Sequence, residues 1–134
     1  PITVPPDDVT RPCDERVRAS ASRSCGLRRE GAFACTPGEP IEVGCSMRCG
    51  LGECEGDAFL RVCAPDRDPG CDAALALAQN DNSGCGGGER CGLGGDCCPR
   101  AELTCPPGGS VVVFSGAYDP RRTHSCDVVV RPLP

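Results

Sequence analysis

Fourteen cysteines in 134 residues constrain this chain more than any other feature. That density exceeds the tenth of residues that marks a disulfide scaffold, and each bridge typically contributes about 2–4 kcal/mol. The thiols stand at Cys13, Cys25, Cys35, Cys45, Cys49, Cys54, Cys63, Cys71, Cys85, Cys91, Cys97, Cys98, Cys105 and Cys126, an even set that pairs off without a leftover. Connectivity is open, because fourteen cysteines allow on the order of 10⁵ pairings. Zinc is the competing use of clustered thiolates, but zinc sites favour regular C-x₂₋₄-C knuckles. Here the spacings wander, Cys97 and Cys98 are adjacent, and His124 is the only histidine. The reading is a disulfide framework in a protein secreted to the medium or a cell surface, since bridges persist only outside a reducing cytosol.

The bridges matter because little else can stabilise the chain. Its length fits one domain, and Phe33, Phe59, Phe114 and Tyr118 are its only aromatic residues. No signal peptide or membrane-length apolar run is seen, so a processed, soluble product without membrane insertion is expected. Every basic residue is arginine, a compositional hint of a GC-rich bacterial genome, and the formal charge of −5 argues against nucleic acid or an anionic membrane as partner.

Two stretches share a design. Cys105-Pro-Pro-Gly-Gly-Ser-Val-Val-Val-Phe114 runs from a cysteine through a proline-glycine turn into a strand, and Cys35-Thr-Pro-Gly-Glu-Pro-Ile-Glu-Val43 does the same. Proline and glycine exclude a helix interior there, while the branched residues favour a pleated backbone. A looser echo links Cys49-Gly-Leu-Gly-Glu-Cys54 with Cys91-Gly-Leu-Gly-Gly-Asp-Cys97. One sheet-and-staple device is thus expected twice, without the regularity of a repeat array.

Along the chain, residues 1–12 read as an extended arm. Prolines at 1, 5 and 6 forbid helix, and Ile2, Thr3 and Val4 favour a short strand. Residues 13–134 form the single stapled domain. Strands are expected over 15–22, 31–36, 39–45, 57–63, 73–79, 101–105, 110–118 and 126–131. Loops are expected over 45–56 and 80–98, where glycine and cysteine are too dense for regular structure. About eight short strands separated by turns point to an all-β chain, an antiparallel, jelly-roll-like sandwich.

The order of Asp57-Ala-Phe-Leu-Arg-Val62, Leu77-Ala-Gln-Asn-Asp-Asn-Ser83, Pro107-Gly-Gly-Ser-Val-Val-Val113, Gly116-Ala-Tyr118 and Asp127-Val-Val-Val130 resembles the bacterial pre-peptidase C-terminal domain over residues 31–131. That family is a jelly-roll-like β-sandwich attached to secreted proteases and other exported proteins. The resemblance implies an accessory module binding a matrix or assisting a catalytic neighbour, and some similar members bind calcium. Two departures count against carrying that role over: cysteine is far denser here, and no enzyme domain is expected beside the sandwich.

Catalytic signals are thin. His124 sits in a polar turn after Arg121-Arg122-Thr123, and its natural thiol partner, Cys126, is expected in a bridge. Ser115, in Val-Phe-Ser-Gly-Ala, lacks the first glycine of a nucleophile elbow. The glycine run from Gly84 to Gly88 does not fit G-x-G-x-x-G, and a chain without lysine cannot form a Walker loop. Calcium has a physical case, because Asp66, Asp68, Asp72, Asn80, Asp81 and Asn82 supply oxygen donors in two loops flanking one strand. The same residues serve turns for backbone reasons alone.

The sequence therefore supports a non-catalytic secreted structural protein that assembles with copies of itself into a filament or surface layer. In it, Ile2, Thr3 and Val4 would add as a strand to a neighbour's sheet. No cofactor is required for that role. The alternative is an accessory module binding a matrix or carbohydrate, calcium-dependent, associated with secreted hydrolases.

Overall fold

The structure is a computed structural model that describes residues 8–13, 25–45, 54–55, 58–67, 70–80, 99–117 and 123–134. Among these residues nine strands follow in order: β1 (Arg28–Ala34), β2 (Pro40–Gly44), β3 (Cys54–Glu55), β4 (Ala58–Cys63), β5 (Ala78–Asn80), β6 (Arg100–Thr104), β7 (Ser110–Ala117), β8 (Ser125–Cys126) and β9 (Val129–Pro132). They form an antiparallel four-stranded sheet in the order β1-β7-β4-β5, a three-stranded sheet β6-β2-β9 and a small ladder β3-β8. The all-β, disulfide-stapled sandwich read from the sequence is what the chain adopts.

Alternation places the core. Along β7, Val111 and Val113 point between the two larger sheets, where they meet Leu60 and Val62 of β4 and Ile41 and Val43 of β2. Val112 and Phe114 point the other way, into a second cluster with Phe59, Cys63, Cys71, Leu27 and Val9. Strand β7 is thus buried on both faces, which explains its continuous run of valines rather than an apolar-polar pattern. Each fully buried phenylalanine or valine contributes about 1.5–3 kcal/mol. Val9 has no exposed surface, so the packed body reaches N-terminal to residue 12, where the arm was expected to end.

The two cysteine-turn-strand stretches are joined to each other. Cys35 is bridged to Cys105, 70 positions on. The Cys35 N–H donates to the carbonyl of Gly109 (3.0 Å), and the Cys105 N–H donates to the carbonyl of Glu39 (2.9 Å). Each turn closes the same way, Glu39 N–H to Thr36 carbonyl and Gly109 N–H to Pro106 carbonyl. They differ in where glycine bends. Gly38 takes a positive φ of 82° at the third turn position, while in the second turn the positive φ of 74° falls on Gly109 at the fourth.

This reciprocity extends through the fold. Phe33 faces Val111 and Ala32 faces Val112 between β1 and β7. Shifted by the same 70 positions, Leu103 faces Ile41 and Glu102 faces Glu42 between β6 and β2. On the far side, β4 lies on β7 with Val62 opposite Val113, as β9 lies on β2 with Val130 opposite Val43. The remaining pair, β3 and β8, lie on each other. Strands β1–β4 therefore correspond to β6–β9, and the pairings exchange the halves as an isologous dimer interface would. Within this pseudo-twofold arrangement β1 has one irregularity, a bulge between Arg29 and Gly31. Gly31 has φ +148° there and lies against the Phe33 ring. Strand β5 has no counterpart among the described residues.

Three expectations need correction. The strand expected over 73–79 shrinks to β5, because residues 73–75 form a turn that the Asp72 carboxylate caps, accepting from the N–H groups of Ala74 (3.0 Å) and Leu75 (3.2 Å). The single strand expected over 126–131 is two, β8 and β9, which belong to different sheets. The stretch 45–56, expected to be irregular throughout, contains β3, because a two-residue ladder needs only backbone partners and β8 supplies them. The expected strand over 15–22 and most of the loop over 80–98 lie outside the described residues.

Candidate functional site

Three places gather polar or unpaired groups. The first is Ser115, at the end of β7, whose side chain has no exposed surface. Its hydroxyl lies 2.6 Å from Glu30 Oε2 and 2.9 Å from His124 Nε2. The same Glu30 oxygen accepts from Arg28 Nε (3.0 Å) and from the Arg28 terminal nitrogen (2.8 Å). A hydroxyl has one proton, and Glu30 is acting as an acceptor. Ser115 therefore donates to Glu30, and His124 Nε2–H donates to Ser115. That polarity is the reverse of nucleophile activation, in which the imidazole accepts the serine proton. The cluster ties the start of β1 and the residue before β8 to the end of β7. Sequence reading found both Ser115 and His124 but not their meeting, because the loop between them carries no signal of its direction.

The second is Glu42, in the middle of the central strand β2. Its carboxylate pairs with Arg131 across the ladder and lies 3.6 Å from the Arg100 guanidinium on the other side. Only about 3% of that side chain is exposed. A carboxylate buried there requires charge partners, and one arginine on each neighbouring strand supplies them. The three strands are thus clamped on their outer face.

The third is a groove of about 200 Å³ on the side of the sandwich between β1 and β9. Residues 34–36 and Glu39, Ile41 of β2 and residues 130–132 of β9 line it. On the opposite side of the sandwich β5 lies against β6; here β1 and β9 are the outer strands of their sheets. The Leu133 N–H donates to the Pro40 carbonyl, so alternation turns Arg131 toward β2 and Val130 toward the open edge.

The remaining sequence candidates fall as follows. Bridges join Cys13 to Cys25, Cys35 to Cys105, Cys45 to Cys126 and Cys63 to Cys71. Cys126 is thus unavailable to His124 as a thiol. Cys54 lies in β3, while Cys49, Cys85, Cys91, Cys97 and Cys98 lie outside the described residues. Of the calcium candidates, Asp66 is exposed in a short 3₁₀ turn, Asp72 caps residues 73–75, and Asn80 ends β5 opposite Leu60. Asp68, Asp81 and Asn82 lie outside the described residues, as do Ile2, Thr3 and Val4. Among the described residues no three acidic, histidine or cysteine side chains gather as a metal site, and no helix is long and apolar enough to cross a membrane.

Four bridges fix the chemistry of the surroundings: the folded chain belongs to an oxidising compartment. Comparison with protein-family models, curated proteins and solved structures finds no match.

Proposed function

We propose that this chain is a non-catalytic, extracellular structural protein that assembles with copies of itself into a filament or surface layer through strand addition. The observation that carries the reading is the open side of the sandwich, where two outer strands flank a groove of mixed polar and apolar lining. Unpaired strand edges template further pairing unless they are blunted. The body behind them is rigidly stapled, with Cys35–Cys105 and Cys45–Cys126 each tying one half of the fold to the other. Such a body resists unfolding and proteolysis while exposing an edge, as a polymer subunit requires. The Ser115 cluster supports a structural over a catalytic role, since its one hydroxyl proton is held by Glu30 in a buried position. Nothing in this role requires a cofactor.

The sandwich would also suit the matrix-binding role of the pre-peptidase C-terminal domain it resembles in sequence. Assembly is the better reading because the groove lies between two outer strands, and the register of β9 on β2 turns the Val130 backbone groups toward it. Native protein examined by multi-angle light scattering and electron microscopy tests this. Regular oligomers or fibres are expected as concentration rises, and a strict monomer at high concentration overturns the reading.

A further inference from the structure

The fold contains its own template for the open groove. Strand β5 seats on the edge of β4 and against β6, with Val62 opposite Ala78 and Leu60 opposite Asn80. The Val62 carbonyl accepts from the Leu77 N–H at 2.8 Å, and Ala78 packs against the core between the sheets. Under the pseudo-twofold relation β4 becomes β9, β6 becomes β1, and Val62 becomes Val130. The image of the β5 seat is then the space beside β9 and against the end of β1, which is where the groove opens. Its walls repeat those of the occupied seat. Ile41 and Val130 stand for Val111 and Val62, and Ala34 and Cys35 for Thr104 and Cys105. Val130 presents its backbone N–H and carbonyl to this space, while Pro132 lacks an N–H and limits how far a ladder can extend.

We propose that the groove between β9 and β1 is a strand-docking site, and that its occupant is the segment Ile2–Thr3–Val4 of a second copy of the chain. The proposal rests on the self-assembly reading above and names its acceptor. A short strand is what the seat takes, because β5 is only three residues long. Ile2–Thr3–Val4 has that length, prolines on both sides confine it, and alternation sends Ile2 and Val4 to one face. Those two side chains enter the groove as Ala78 enters its seat. Reach decides between the chain's own arm and a neighbour's. Val9 is held at the start of β1 by the Leu27 N–H, whereas the groove lies at its other end, beyond Ala34. Seven residues of strand span roughly 23 Å, and the five steps from Val9 back to Val4 cover at most about 18 Å. The arm cannot seat all three residues in its own groove, so it must add to another copy.

The test uses a labelled octapeptide, Pro-Ile-Thr-Val-Pro-Pro-Asp-Asp, and the full chain. Anisotropy at chain concentrations below assembly reads docking, and light scattering at high concentration reads assembly. Val130→Pro removes the edge N–H without touching a bond to β2. Ala34→Arg fills the groove from the opposite wall, leaves β9 intact, and keeps the test valid if the proline variant does not fold. Both substitutions are expected to weaken peptide binding by about tenfold or more and to shift assembly to higher concentration in parallel. A peptide that fails to bind, or binds both variants as it binds the unaltered chain, overturns the acceptor. If the chain still assembles in that case, self-association stands by another surface. If it remains monomeric as well, the self-assembly reading falls with it.

Discussion

The Arg61 guanidinium stands 5.6 Å from the centre of the Phe59 ring, and both side chains are fully buried on the same face of β4. An arginine in that position is held by hydrogen bonds to the Gln79 side chain (3.2 Å) and the Cys71 carbonyl (3.1 Å). Burial disfavours its charged form and pulls its pKa below the ordinary arginine value, which the nearby Asp72 carboxylate partly offsets. Arg61 therefore joins β4, β5 and the bridge at Cys71 where an apolar side chain would only fill space.

Truncating it should be expensive. Arg61→Ala leaves a cavity and takes the donor from the buried Cys71 carbonyl and the half-buried Gln79 side chain, for an expected loss of about 3–5 kcal/mol. Arg61→Met keeps volume and removes the desolvation cost, so it should lose less than half as much. Urea unfolding of the bridged protein measures both, and equal losses would show that the charge, not the packing, dominates.

Bridges closing long loops should matter more than those closing short ones. Cys35–Cys105 encloses 70 positions and Cys63–Cys71 only 8. On loop-entropy grounds, replacing both cysteines by alanine should cost roughly 4 kcal/mol in the first case and 2.5 in the second. Thermal unfolding of the two double variants should reproduce that order.

Acid should loosen the turn at the chain's entry. The Asp8 carboxylate accepts from the Thr10 hydroxyl (2.6 Å) and the Thr10 N–H (2.9 Å), which together hold its pKa below the ordinary aspartate value of 3.8. A folded pKa below the unfolded one means that the carboxylate supports the turn above pH 3.8. That support is lost as pH falls through the folded value. NMR titration should show Asp8 moving back toward 3.8 in Thr10→Ala; an unchanged titration would remove the hydroxyl as cause.

Ser115 should be chemically silent. Its proton is committed to Glu30 and its oxygen is shielded, so a fluorophosphonate probe should leave it unlabelled at neutral pH. Ser115→Ala should cost about 1–3 kcal/mol by leaving Glu30 and His124 partly unpaired. Labelling lost in that variant would reopen the catalytic reading.

Sequence patterns carried the strands more fully than the sites. The turns at Pro37–Gly38 and Pro107–Gly108 were legible because proline and glycine fix backbone angles locally. The likeness of the two stretches was legible too, but not that they bridge each other, since loop entropy distinguishes poorly among distant cysteine partners. Val112 and Phe114 gave no hint of what covers them, because Val9 and Leu27 arrive from distant sequence. Nothing in the sequence marks the charges of Glu42 and Arg61 as buried. Their burial depends on which strands flank β2 and β4, and that is a property of topology. Asp72 illustrates a converse limit: the composition that suggests a cation is also what a turn cap requires.

The interleaving of the two halves bears on how such a chain is made. Among the described residues, strands β1 and β2 find their ladder partners in β7, β6 and β9, so before the second half is made the first can pair little beyond β4 with β5. Cys35 and Cys45 must wait for Cys105 and Cys126, 70 and 81 positions later, while nearer thiols compete for them. Non-local pairing of this kind is slow, and early wrong bridges are corrected only by exchange, over seconds to hours. The maturation of this protein is therefore a problem of thiol shuffling in its compartment, and a disulfide isomerase rather than a holding chaperone is the helper whose absence it would feel first.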